Sequence, residues 1–96
     1  MTYDEAKQKA IDWAKADGGP ELSEEKIAEG IENEDTFAFI EKVPRGKTGK
    51  GKFDFLYISP RVFTVNKEKG EVMFCMYSDT DVLKHIKGKV IEDNTI

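Results

Sequence analysis

The hydrophobic pattern of this chain changes its period between the N-terminal segment and the segment that begins at Thr36. Near the N-terminus, apolar and small residues recur at helical spacing and fall within one arc of roughly 160°. These residues are Tyr3, Ala6, Ala10, Ile11, Trp13 and Ala14. From Thr36 onward, apolar residues alternate at the two-residue spacing of β-strands. The two patterns together predict an α+β fold.

The ends of the N-terminal helix are marked by local signals. Thr2 and Glu5 have the spacing of a capping box, in which each side chain accepts from the other residue's free amide. Gly18-Gly19-Pro20 ends the helix, because glycine takes the left-handed exit and proline cannot continue the helix. The sequence therefore predicts an amphipathic helix between Thr2 and Gly18.

Four strands are predicted in the middle of the chain. They cover the alternating segment after Thr36, Phe53–Ile58, Arg61–Val65 and Glu71–Tyr77. The last two form a hairpin in which Gly70 supplies a positive φ. Short loops favour antiparallel neighbours.

Three segments complete the prediction. Leu22–Gly30 fits a short helix or turn that begins at Ser23, which we favour, but Ile27 and Ile31 also fit one face of a strand. Ser78 and Asp81 have the spacing of a second capping box, before a C-terminal helix that ends at Gly88. Residues 89–96 form either a loose tail or a short edge segment. The expected architecture is an N-terminal helix, a four-stranded mainly antiparallel sheet and a C-terminal helix, with both helices on one face of the sheet.

Length and composition restrict the class of protein. Its 96 residues suit a single domain, residues 1–96, with 35% charged side chains on its surface. No stretch approaches the roughly 20 apolar residues that span a bilayer, and no signal peptide is visible, so a cytoplasmic location without membrane contact is expected. One Cys and one His exclude a disulfide framework and a Cys/His zinc site within one chain. We therefore expect no metal and no cofactor.

Charge is distributed unevenly along the chain. Residues 1–41 carry 12 acidic and 4 basic side chains, whereas residues 42–69 carry 8 basic and 2 acidic ones. Such a distribution can steer a charged partner toward one surface. The candidate acidic surface consists of Asp4, Glu5, Asp12, Glu24 and Glu25. The candidate basic surface is a loop that contains Arg45, Lys47, Lys50 and Lys52. The sequence does not choose between the two surfaces.

Three motifs suggest other chemistry, each with a simpler explanation. Gly46-Lys47-Thr48 matches the last three residues of a phosphate-binding loop motif, but the glycine that the motif requires five residues earlier is replaced by Glu41. Lys50–Tyr57 is like the aromatic strand of RNA-binding domains, although an aromatic strand facing the core explains it better and the net charge of −4 disfavours nucleic acid. Cys75 and His85 could pair as nucleophile and base, but Cys75 fits a structural thiol within a strand. No catalytic residues are predicted.

The order of the elements resembles a family of small bacterial immunity proteins, the immunity-protein-35 or YrhB-like family. The similar segments are Thr2–Ala6 at the start of the first helix, Phe37–Phe39 in the aromatic strand, Val65–Val72 in the hairpin and Asp79–Ile86 in the closing helix. The resemblance implies a protein that binds and blocks a cognate toxin. It assigns no site residue by residue.

The sequence favours a non-enzymatic interaction protein with a toxin domain as its partner. Two alternatives remain open. One is a small nucleic-acid-binding module that uses the basic loop at residues 45–52. The other is a homo-oligomeric structural module that pairs through an exposed edge strand. Both a monomer and a dimer are compatible with the sequence.

Overall fold

The computed structural model describes residues 1–18, 21–42 and 60–94. In these ranges, the helices are α1 (Tyr3–Asp17) and α2 (Leu83–Ile86). The strands are β1 (Ile27–Glu32), β2 (Thr36–Glu41), β3 (Arg61–Asn66), β4 (Val72–Met76) and β5 (Lys89–Asp93). Short 3₁₀ turns occupy Glu24–Lys26 and Thr80–Val82.

Helix α1 has the ends that its sequence predicts. The Glu5 amide donates to Thr2 Oγ1 at 3.1 Å, and the Thr2 amide donates to Glu5 Oε1 at 2.7 Å. Gly18 has a φ of 82° and its N–H donates to the Lys15 carbonyl. The capping box and the left-handed exit are both confirmed, because each depends only on residues within one helical turn.

Within the described residues, the sheet has five antiparallel strands in the order β4-β3-β2-β1-β5, whereas four strands were predicted for the chain. The preference for a helix or turn before Gly30 is correct only for Glu24–Lys26, because Ile27–Glu32 forms β1. The edge-segment alternative is correct for the C-terminal segment, which pairs with β1 as β5. The predicted strand Phe53–Ile58 lies outside the described residues.

β1 contains a bulge, so its hydrophobic residues do not follow the regular two-residue alternation of a strand. The register against β2 shifts between Ile27 and Glu29, so one extra residue reverses the direction of the side chains. Ile27 packs in the core beneath α1, whereas Ile31 packs in the core on the opposite face. The strand alternative is therefore correct for Ile27–Glu32, but its placement of these two residues on one face is wrong.

The two faces of the sheet carry separate cores. Under α1, Ala6, Ala10 and Ala14 pack with the other buried members of the cluster: Leu22, Ile27, Phe37, Phe39, Phe63 and Val65. On the other face, Val82 from the 3₁₀ turn joins a cluster of Ile31, Ala38, Ile40 and Val62, with Ile86 of α2 packed against it. The prediction that both helices lie on one face is wrong, because β2 is apolar on both faces and both need cover.

The turns on either side of β4 differ in how well they were predicted. The hairpin turn before β4 is confirmed, because Gly70 has a φ of 71° and Asn66 Oδ1 accepts from the amides of Glu68 and Lys69. The second capping box is wrong, since the 3₁₀ turn begins at Thr80 with Asp79 as its N-cap. The Asp79 carboxylate instead accepts from the Met76 amide at 2.9 Å. The C-terminal helix ends at Ile86, and Gly88 lies against the Glu32 carbonyl just before β5.

Gly30→Ala should destabilise the protein by about 2 kcal/mol through overpacking. Gly30 is buried beneath the Tyr3 ring, and a Cβ atom there would collide with the Tyr3 hydroxyl and ring. Its φ is not positive, so the cost is steric rather than conformational. Urea denaturation measures the effect. In a Tyr3→Ala background, the cost of Gly30→Ala should largely disappear, and an undiminished cost would contradict this explanation.

Candidate functional site

The Glu92 carboxylate joins three elements at the β5 side of the sheet. Glu92 Oε1 accepts from the Tyr3 hydroxyl at 2.6 Å and pairs with Lys7 Nζ at 2.9 Å. Glu92 Oε2 accepts from Asn94 Nδ2 at 3.1 Å. Lys7 Nζ also pairs with Glu24 at 3.1 Å, which brings in the 3₁₀ turn. We call Tyr3, Lys7, Glu24, Glu92 and Asn94 the Glu92 cluster.

Local features of the sequence place these groups together. Tyr3 and Lys7 are four residues apart, so they lie on the same side of α1. The pairing of β5 with β1 shifts register between Gly30 and Ile31, which sets Val90 opposite Ile31 but Glu92 opposite Gly30. This shift turns Glu92 toward the α1 face. Gly30 has no side chain, so the Tyr3 ring can lie over the sheet and its hydroxyl reaches Glu92.

The electrostatics of the Glu92 cluster fix its charges at neutral pH. Hydrogen bonds from Tyr3 and Lys7 lower the pKa of Glu92 to about 2. Burial, followed by the hydrogen bond to Glu92, raises the pKa of Tyr3. Burial disfavours the charge on Lys7, but hydrogen bonds with Glu92 and Glu24 outweigh it and raise the Lys7 pKa. General acid–base catalysis needs a pKa near the working pH, so this arrangement suits attachment of β5 to α1 rather than proton transfer.

An open hollow of about 710 Å³ lies beside the Glu92 cluster. Its lining residues are Ser23, Glu24, Glu25, Lys42, Glu92 and Asn94. The lining contains three carboxylates and one lysine, so the hollow has a net negative charge. Glu92 and Glu24 already have partners, whereas the exposed Glu25 makes no hydrogen bond or ion pair with the described residues. The hollow can therefore accept a cationic side chain of a partner molecule.

The structure brings together only part of the predicted acidic surface. Glu24 and Glu25 line the hollow, and the charges of Asp4 and Glu24 both act on Tyr3. Glu5 caps α1, and its pKa is lowered by hydrogen bonds with Thr2. Asp12 accepts from Gln8 on the exposed side of α1. Glu24 and Glu25 thus line the hollow, and Asp4 lies within electrostatic reach of Tyr3 in the Glu92 cluster beside it. We call these three acids the acidic region, whereas Glu5 and Asp12 belong to the outer side of α1.

The predicted basic residues Arg45, Lys47, Lys50 and Lys52 lie outside the described residues, as do Gly46-Lys47-Thr48 and Lys50–Tyr57. The prediction of a basic contact surface therefore stays a prediction.

Tyr3, Lys7, Glu92 and Asn94 were not predicted as site residues. Glu92 and Asp93 look like one more pair of surface acids, because the β5 bulge that turns Glu92 inward leaves no local mark in the sequence. The four-residue spacing of Tyr3 and Lys7 was the available signal, since it places a hydroxyl and an amine on one side of a helix.

The described structure does not bring Cys75 and His85 together as nucleophile and base. The partly buried Cys75 lies in β4, and His85 lies in the last turn of α2, as their positions in the sequence predict. Their side chains make no hydrogen bond with each other, although both belong to described segments. Burial and the nearby charges of Asp79 and Asp81 raise the pKa of the Cys75 thiol, which is the reverse of what nucleophilic activation requires.

Comparisons with known proteins found no match among family models, curated proteins or solved structures. Within the described ranges, no three His, Cys, Asp or Glu side chains are grouped so that they could hold a metal ion. The helices in those same ranges are too short or too polar to cross a bilayer.

The Glu92 cluster should make stability depend on acid pH. Glu92 binds its proton more weakly in the folded chain than in the unfolded chain, so the unfolded state gains protons first as the pH falls. Its contribution, on the order of 2 kcal/mol, is present above about pH 5 and is lost toward about pH 2.

Urea denaturation across this pH range, on the parent protein and on Glu92→Gln, measures the effect. The difference in stability between them should be largest near neutral pH and should shrink as the pH falls. Other acidic groups titrate in both proteins, so the difference isolates Glu92. A difference that does not change with pH would contradict the assignment.

Proposed function

We propose that this chain is a non-enzymatic protein-binding domain that blocks a cognate bacterial toxin. Its contact surface is the acidic region formed by Asp4, Glu24 and Glu25, with the hollow beside the Glu92 cluster. The observation that carries this proposal is the attachment of these acids to rigid elements: Lys7 links the 3₁₀ turn to β5, and α1 is packed on the sheet.

A preformed surface of this kind supports inhibition by obstruction. The hollow, with three carboxylates in its lining, suits an arginine or lysine of the toxin. The exposed acids around it attract a cationic partner before contact and thereby raise the association rate. A toxin held against α1 and the 3₁₀ turn cannot admit its own substrate at the covered surface.

The choice of a toxin as partner rests on the family resemblance and on the order of the elements. A capped first helix, the aromatic strand β2 and the β3–β4 hairpin occur in the expected order. The resemblance itself stays a prediction. The proposal implies that the protein acts in the cytoplasm of the cell that makes the toxin.

Charge reversal at the acidic region should weaken binding. We expect Asp4→Lys combined with Glu25→Lys to reduce the association rate with the toxin domain encoded by the neighbouring gene by about tenfold or more. Both side chains are exposed, so the circular dichroism spectrum should not change. Surface plasmon resonance at low and high salt measures the rate, and growth rescue on co-expression measures protection.

The matched control is Glu34→Lys combined with Asp35→Lys, which makes the same change of charge in the exposed turn between β1 and β2. This control should bind like the parent protein. Equal losses in both variants would reject the acidic region as the contact surface. A neighbouring toxin that kills cells whether or not this chain is present would reject the function.

A further inference from the structure

The outer edge of β4 is an exposed apolar strand. β4 is the first strand in the sheet order, and none of the described segments pairs with its outer side. Its sequence, Val-Met-Phe-Cys-Met, contains no charged residue and no proline. Met73 is 67% exposed and Phe74 is 44% exposed. Edge strands are usually protected by charges, prolines or bulges, and β4 has none of these.

The hydrogen-bond pattern shows which backbone groups of β4 are free. The Asn66 amide donates to the Glu71 carbonyl, and the Tyr77 amide donates to the Pro60 carbonyl. Residue pairs in an antiparallel ladder alternate between hydrogen-bonded and non-hydrogen-bonded sites. Glu71 and Tyr77 occupy hydrogen-bonded sites opposite β3, so Met73 and Cys75 also bond to β3. Val72, Phe74 and Met76 therefore direct their N–H and C=O groups outward.

Asp79 satisfies the outward groups at one end of this edge. The Met76 amide donates to Asp79 Oδ2 at 2.9 Å, and the Asp79 amide donates to the Met76 carbonyl at 2.9 Å. The N–H and C=O groups of Val72 and Phe74 have no such partner among the described residues. Within the part of the chain that the structure describes, four backbone groups thus remain unpaired, at the spacing of a strand.

We propose that two copies of this chain form a homodimer through antiparallel pairing of β4. If Val72 pairs with Phe74 of the second copy, and Phe74 with Val72, all four free groups form hydrogen bonds. This register places Met73 opposite Met73 of the second copy, on the two-fold axis. The register centred on Phe74 would need the Met76 groups that Asp79 holds.

The side chains fit this register. Met73 occupies a non-hydrogen-bonded site, where opposite residues lie closest together and two exposed thioethers can pack. Val72, Met73 and Phe74 are all uncharged, so no like charges face each other across this contact.

The other edge of the sheet does not offer the same contact. β5 carries Lys89, Glu92 and Asp93, and its register against β1 is shifted by a bulge. Charges and bulges both oppose the addition of a strand. Pairing through β4 therefore stops at two copies. It is independent of the proposed function, because β5 and the Glu92 cluster lie at the opposite end of the strand order.

Sedimentation velocity on the full chain tests the dimer. Two short strands bury little area, so the dimer should be weak and the mass should double over about a hundredfold range of protein concentration. Met73→Lys places two like charges opposite each other on the axis and should leave a monomer at every concentration. The matched control, Val90→Lys on β5, changes a residue that is 48% exposed and should keep the dimer.

Cross-linking tests the register separately. In a Cys75→Ala background, Met73→Cys should form an intermolecular disulfide under mild oxidation, because non-hydrogen-bonded antiparallel pairs have suitable spacing. Val90→Cys in the same background should remain reduced. A parent protein that stays monomeric throughout overturns the proposal. Loss of the dimer with Val90→Lys, or equal cross-linking at Val90, also overturns it.

Discussion

The close approach of α1 to the sheet is the contact on which the rest of the structure depends. Ala6, Ala10 and Ala14 recur every four residues and are 0–1% exposed, so the helix backbone lies near the aromatic face of β2 and β3. Aromatic rings close both ends of this contact. Tyr3 packs on Phe37 and Phe39, and Trp13 packs on Phe63 and Phe74. A bulky residue at any of the alanines would lift α1 and separate Tyr3 from Glu92.

The strand order distributes two different surfaces to opposite edges of one sheet. At the β5 edge, the Glu92 cluster ties α1, β5 and the Glu24–Lys26 turn together, and exposed carboxylates surround an open hollow. At the β4 edge, the strand is uncharged and part of its backbone has no partner among the described residues. A dimer formed at β4 leaves both acidic regions facing solvent. Each copy can then engage a partner of its own without competition between the two contacts.

Features that depend on neighbouring residues could be predicted from the sequence, and features that depend on distant pairing could not. The capping box of Thr2 and Glu5, the exit at Gly18 and the turn at Gly70 are local, and each was predicted. The bulge in β1 breaks the alternation on which strand prediction relies, so a helix or turn was favoured for this segment and the strand alternative placed Ile27 and Ile31 on one face. Of the candidate site, Asp4, Glu24 and Glu25 were predicted from charge alone. Glu92 was missed because its direction is set by a register that β1 imposes on β5.

The bond between Tyr3 and Glu92 joins residues separated by 89 positions along the chain. Helix α1 therefore emerges early during synthesis on the ribosome, whereas the strand that holds its first turn emerges among the last residues described. Until then, β1 exposes one edge and Lys7 lacks its Glu92 partner. Contacts between residues far apart in the sequence slow folding, because the chain loses conformational entropy before the contact contributes any stabilisation. The nascent protein thus has a period in which β1, like β4, lacks a neighbouring strand on one side among the described segments.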